Sequence, residues 1–171
     1  LAVHGEEPTH ATARQRGGAV KEYFQNKLWG TRTVHAAILD TNVYIGHWEQ
    51  GWYEETIETL RQAYIIRHSA VVLSELRRGA RTRKAERLVT ALFRLAPVCW
   101  EPTAVDWWET GRLVRQIGDA EGWDRNKRRE FQNDVLIALT ARRYGATVVT
   151  TNLSDFDLLA RALRIHVLAA K

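Results

Sequence analysis

Apolar residues in this chain fall into two patterns that take turns along its length. Short runs rich in Val, Ile, Leu and Ala, at residues 34–39, 65–66, 97–100, 146–150 and 165–168, predict strands. Between them apolar positions recur every three or four residues, the period of a helix with one buried face. Residues 41–63 read this way, with Tyr44, Trp48 and Trp52 in register and a break near Gly51. Further helices are predicted over 70–78, with Ser69 as N-cap and Gly79 as stop, over 84–95, and from Pro102 to about Ala120. Residues 122–129 read as a charged loop or frayed helix start, and 130–144 as a helix closed by Gly145. A last helix follows the loop at 151–154 and ends near Leu163. Strands alternating with helices predict an α/β fold whose central sheet is mainly parallel and flanked by helices.

Residues 1 to about 18 are small, polar and mixed in charge, and a short helix is predicted at 20–29, stopped by Gly30. The expected organisation is an N-terminal extension over 1–33, largely flexible, and one folded domain over 34–171. No apolar run approaches the roughly 18 residues of a membrane span. The first residues lack the apolar segment of a signal peptide, so the cytoplasm is the expected location. The single cysteine, Cys99, excludes an internal disulfide and is read as a small core residue.

The net charge of +5 favours a polyanionic partner. The excess is local, in Arg77, Arg78, Arg81, Arg83, Lys84 and Arg87 and again in Arg125, Lys127, Arg128 and Arg129. On charge alone these are as readily solvated helix faces. Trp48, Trp52, Trp107 and Trp108 lie in helical patterns that pack a core or an interface more simply than they stack on bases.

Four acids stand at joints between predicted elements. Asp40 ends the first apolar run, at the carboxyl end of a buried strand, where open parallel sheets bind ligands. Glu75 lies inside an apolar helix, Asp134 near the start of the helix from 130, and Asp155 just past the fourth strand. A helix N-terminus beside Asp134 would help keep it ionised. Taken singly, Asp40 reads equally as a helix cap, Glu75 as a partner of Arg78, and Asp134 and Asp155 as first-turn acids. Gathered at one crevice, they would repel one another and call for a hard cation.

The landmarks Leu39-Asp40-Thr41-Asn42, Leu73-Ser74-Glu75-Leu76-Arg77-Arg78-Gly79, Asn133-Asp134-Val135-Leu136-Ile137-Ala138 and Val149-Thr150-Thr151-Asn152-Leu153-Ser154-Asp155-Phe156, in that order, resemble the PIN-domain nucleases. Within that family they are similar to the VapC-type toxins of bacterial toxin–antitoxin pairs. The resemblance runs from about Val34 to Ala170 and implies a PIN-like sheet with an acidic pocket at the strand carboxyl ends. It implies Asp40, Glu75, Asp134 and Asp155 as catalytic, metal-binding acids. It implies Thr41 or Asn42, with Thr150 and Asn152, as the hydrogen bonders behind them, Asn152 falling where some relatives carry another acid. The cofactor implied is Mg²⁺, with Mn²⁺ as substitute, and the activity is endoribonucleolytic hydrolysis of RNA phosphodiesters. Arg77, Arg78, Arg128 and Arg129 would contact RNA. The implied partners are RNA, an antitoxin and a second copy in a homodimer, with no membrane. Apolar, aromatic helices after the first strand are often where such toxins dimerise or meet the antitoxin.

The alternative carried by the same residues is a PIN-fold nuclease of RNA processing, or a protein that binds RNA or a partner without cutting. The presence of all four acids speaks against a dead enzyme. A phosphatase or response-regulator-like protein also uses acids at strand ends. It commonly needs a lysine late in the sheet, and the last strand region holds only Lys171. No zinc arrangement, P-loop or nucleophile-elbow motif is present.

Overall fold

The first apolar run does form a strand, β1 (His35–Leu39), and it becomes the centre of the sheet. The computed structural model describes residues 35–96 and 98–171, so the helix expected at 20–29 and the extension at 1–33 lie outside the described residues. The other strands are β2 (Tyr64–Ser69), β3 (Cys99–Trp100), β4 (Thr147–Thr150) and β5 (His166–Ala169). They lie in the order β3-β2-β1-β4-β5, and every neighbouring pair is parallel. The helices described are α1 (Thr41–Gln50), α2 (Glu54–Ala63), α3 (Ala70–Gly79), α4 (Arg83–Leu95), α5 (Ala104–Ala120), α6 (Arg125–Tyr144) and α7 (Leu153–Leu163). Among the described residues no helix is long and apolar enough to cross a membrane.

The strand order has a functional consequence. From β1 the chain builds outward to β2 and β3 on one side, then crosses over and builds β4 and β5 on the other. The switch therefore lies between β1 and β4, and a crevice opens beyond their carboxyl ends. These two strands are also the best buried. Ile38, Val148 and Val149 are fully covered, and Val135, Ile137, Ala138 and Phe131 of α6 pack with Phe156 and Leu159 of α7 in the same core. Burying each large side chain of this kind contributes about 1.5–3 kcal/mol, and the floor of the crevice rests directly on this core.

Several boundaries differ from expectation, each for a local reason. The helical stretch at 41–63 is two helices, because Gly51 takes a left-handed φ of 68° that closes α1. β2 is longer than residues 65–66, extending through the polar Arg67 and His68, which pair with β1 and β3. Pro102 precedes the helix rather than opening it. Thr103 is the N-cap of α5, and it forms a capping box with Asp106. Cys99 is half-buried rather than part of the core. Trp48 packs against the core, whereas Trp52, Trp107 and Trp108 are exposed, Trp108 by 84%.

The largest difference concerns α6. It begins at Arg125, so residues 125–129 of the stretch read as a charged loop or frayed helix start are regular helix, and Asp134 lies well inside it rather than near its start. Asp124 accepts a hydrogen bond from the Lys127 backbone N–H at 2.8 Å, satisfying a donor that the helix itself cannot. Asp124→Ala is expected to cost about 1 kcal/mol of stability, the usual worth of an N-cap. Urea denaturation measures it, and no loss would mean that the first turn is not held by this cap.

Candidate active site

The crevice floor is set by backbone pairing. The Asp40 N–H donates to the Val149 carbonyl at 2.8 Å, so the β1–β4 ladder runs on into the loop and fixes where Asp40 stands. One Asp40 carboxylate oxygen accepts from the Thr41 N–H at 2.7 Å, and the other from the Thr150 hydroxyl at 2.8 Å. Asp40 is thus the N-cap of α1 and part of the crevice at once. The Thr150 hydroxyl in turn accepts from the Asn152 N–H at 2.9 Å, which ties the loop after β4 to the same point.

Glu75 reaches the crevice from the middle of α3. The Thr41 hydroxyl donates to Glu75 Oε2 at 2.5 Å, and Asn133 Nδ2 donates to Oε1 at 2.7 Å. Thr41 therefore binds two acids, one through its amide and one through its hydroxyl. Asn42 is exposed on the first turn of α1. The pairing of Glu75 with Arg78 is long, at 3.9 Å, with the arginine largely in solvent, and a surface contact of that kind is worth little.

Asp134 of α6 and Asp155 of α7 face each other across Asn152. Its Nδ2 donates to Asp134 Oδ2 at 3.1 Å and to Asp155 Oδ2 at 2.9 Å, while its own oxygen accepts from Ser154 at 3.0 Å. An amide here bridges two carboxylates that an acid at the same position would repel. Asp155 also accepts from Lys127 Nζ at 2.6 Å, and that ammonium lies 5.1 Å over the Trp123 ring. Lys127 and Asn133 were not singled out as site residues from sequence.

The electrostatics follow from burial. Asp40 is 2% exposed, and its carboxyl is pushed up to about 6, chiefly by loss of water, against the hydrogen bonds from Thr150 and Thr41. The partly buried Asp134 is pushed up further, to about 8, by burial first and then by the charges of Asp40, Asp155 and Glu75, with Lys127 opposing. The ionising help expected from a helix N-terminus is not there, because Asp134 lies well inside α6. Among the described residues no three Asp, Glu, His or Cys side chains are arranged to hold a metal ion as they stand. Glu75 and Asp155 are instead engaged by Thr41, Asn133, Asn152 and Lys127.

The four arginines named from sequence divide. Arg78 and Arg129 line an open cavity of about 450 Å³ beside the acids, together with Glu75, Asn126, Glu130 and Asn133. Arg77 turns the other way, donating to Thr90 at 3.1 Å and pairing with Glu86 at 3.2 Å on α4. Arg128 pairs with Asp119 at 2.8 Å and donates to the Trp123 carbonyl at 3.0 Å, lying against Gly118 where a Cβ would meet it at 2.9 Å. Both are engaged in packing neighbouring helices rather than lining the crevice.

With the crevice at a sheet switch point and acids on its walls, the class is defined. A family model described as the PIN domain matches residues 37–162, and the chain belongs to that family. Solved structures with the same fold include a chain of VapBC2 from Rickettsia felis bound to a DNA fragment from its promoter. It is 22% identical with a TM-score of 0.59, the match covering 80% of this chain and 99% of that one. DNA-bound VapBC from Salmonella typhimurium is 22% identical with a TM-score of 0.56, covering 81% of this chain and all of the other. VapBC-1 from nontypeable Haemophilus influenzae is 18% identical with a TM-score of 0.55, covering 78% and 97%. Comparison with curated proteins found no match.

Proposed function

We propose that this PIN-domain protein is a metal-dependent endoribonuclease and the toxin of a type II toxin–antitoxin pair. The observation that carries the reading is the carboxylate group at the β1–β4 switch. The Asp134 carboxyl is pushed up to about 8 by burial and then by the charges of Asp40, Asp155 and Glu75, an arrangement that a bound cation would relieve. The donors are all oxygen, which suits Mg²⁺ or Mn²⁺. Asp40 and Asp134 would hold the ion, with Glu75 joining from the Thr41–Asn133 cradle. A bound ion lowers the pKa of an attacking water and offsets charge on the phosphate oxygens.

The chain's own residues do the rest. Thr150 and the Thr41 amide keep Asp40 at one orientation, and Asn152 keeps Asp134 turned inward. Arg78 and Arg129 stand where they can pair with backbone phosphates entering the adjoining cavity. An apolar groove of about 330 Å³ between α1, α3 and α4, lined by Ile45, Trp48, Leu76 and Leu88, suits an antitoxin segment. The VapBC assemblies that share the fold support that partner. A homodimer belongs to the same reading, and light scattering of the purified chain tests it.

The deciding experiment is incubation of the purified chain with structured RNA and Mg²⁺ or Mn²⁺. Internal cleavage that stops when chelator is added is the expected result. Cleavage that persists in chelator, or none with either ion, would set the reading aside.

A further inference from the structure

Lys127 stands in an unexpected place. It is in the first turn of α6, where the helix dipole disfavours a cation. Its backbone N–H is fixed by Asp124, and its ammonium, about one-third exposed, reaches 2.6 Å from an Asp155 carboxylate that is 5% exposed. The same Asp155 oxygen takes the Asn152 amide, whose other bond goes to Asp134. The ammonium is thus wired into the acidic group through one oxygen and one amide, with the Trp123 ring beneath it. A divalent ion at Asp155 would have to displace a fixed positive charge at hydrogen-bond distance, or sit beside it against strong repulsion.

We infer that Lys127 is the built-in cation of the Asp155 arm, withholding that carboxylate from metal so that the site takes one divalent ion, on Asp40 and Asp134, rather than two. The inference rests on the nuclease reading for the ion itself, but it concerns what this chain's lysine does to the ion count. Asp155 then acts as a positioning residue, holding Asn152 and Lys127, rather than as a ligand. A plain structural ion pair between α6 and α7 would leave the ion count untouched, and that separates the two roles.

The test is a count of bound Mn²⁺ on the full chain, by the electron paramagnetic resonance of free Mn²⁺ and by calorimetry. The parent and Lys127→Arg should each bind one ion. Asp155→Asn should keep that ion with affinity within about threefold, a difference of well under 1.4 kcal/mol. Lys127→Met should bind a second ion at the released Asp155. An unchanged single ion in folded Lys127→Met, or loss of the ion in Asp155→Asn, would overturn the inference. If Lys127→Met does not fold, Lys127→Gln, which keeps a hydrogen-bond donor for Asp155 without the charge, is counted in its place and should likewise bind a second ion. A parent that cuts RNA yet binds two ions defeats only the role of Lys127. A parent that neither binds Mn²⁺ nor cuts defeats the nuclease reading with it.

Discussion

Asp134→Asn protein is expected to cleave RNA about a thousandfold more slowly than the parent, a loss of about 4 kcal/mol in transition-state stabilisation. The substitution keeps the size of the side chain and one acceptor for Asn152, but removes the charge that would hold an ion. It should not unfold the protein. The Asp134 carboxyl is already pushed up to about 8, so the fold favours its neutral form, and an amide mimics that form. Cleavage assays run beside urea denaturation separate the two effects. A folded Asp134→Asn protein that cuts at the parent's rate would remove Asp134 from the site, and Asp40→Asn is held to the same standard.

Metal-free protein is expected to lose stability as pH rises from about 4 to about 8, and Mn²⁺ should restore it. Asp40 and Asp134 hold their protons up to about 6 and about 8, above the ordinary carboxylate value of 3.8. Across that window these two carboxyls bind more protons in the folded than in the unfolded state, so their contribution to stability falls with rising pH. The contribution is fully present below the ordinary value and is lost as pH passes through the folded values. For the buried Asp40 alone the change is on the order of 3 kcal/mol. At pH 8, Mn²⁺ at about a hundred times its dissociation constant adds about 2.7 kcal/mol, or roughly 5–10 °C in melting temperature. At pH 5 the same addition should do little, because protons hold the carboxylates. Thermal melts in chelator and in Mn²⁺ at both pH values give the comparison. Asp134→Asn should flatten it, and a parent that grows more stable toward pH 8 in chelator would contradict the burial argument.

These expectations draw on parts of the molecule that were unequally visible in the sequence. The crevice floor was legible because both of its strands are continuous apolar runs ending in a polar residue, Asp40 after β1 and Thr150 closing β4. Glu75 was legible because an acid inside Val71-Val72-Leu73 and Leu76 has no obvious place on a solvated face. The charged segment before Glu130 was not. Five charged residues among the six from Asp124 to Arg129 look like a loop or a frayed helix start until Asp124 is recognised as an N-cap three residues before Lys127. With α6 begun at Arg125, Lys127 and Asp134 are seven residues apart and share a face, as do Asn126, Glu130 and Asn133. Composition alone did not distinguish Lys127 from Arg128, one bonded to an acid of the crevice and the other to Asp119. Arg77 and Arg78, adjacent in sequence, point to different neighbours because successive helical residues are about 100° apart.

The bond from Thr150 to Asp40 joins residues 110 positions apart. During synthesis Asp40 is made early, but its strand has no β4 beside it until residues 147–150 emerge. Until then the crevice has one wall, Asp134 has no Asn152 to turn it inward, and Lys127 has no Asp155. On the proposed reading, a chain that stops before β4 carries Asp40, Glu75 and Asp134 without the strand and loop that position them. Products truncated before β4 are expected to cut no RNA. For a protein whose proposed substrate is RNA, the order of strands in the sheet would make cutting wait for β4.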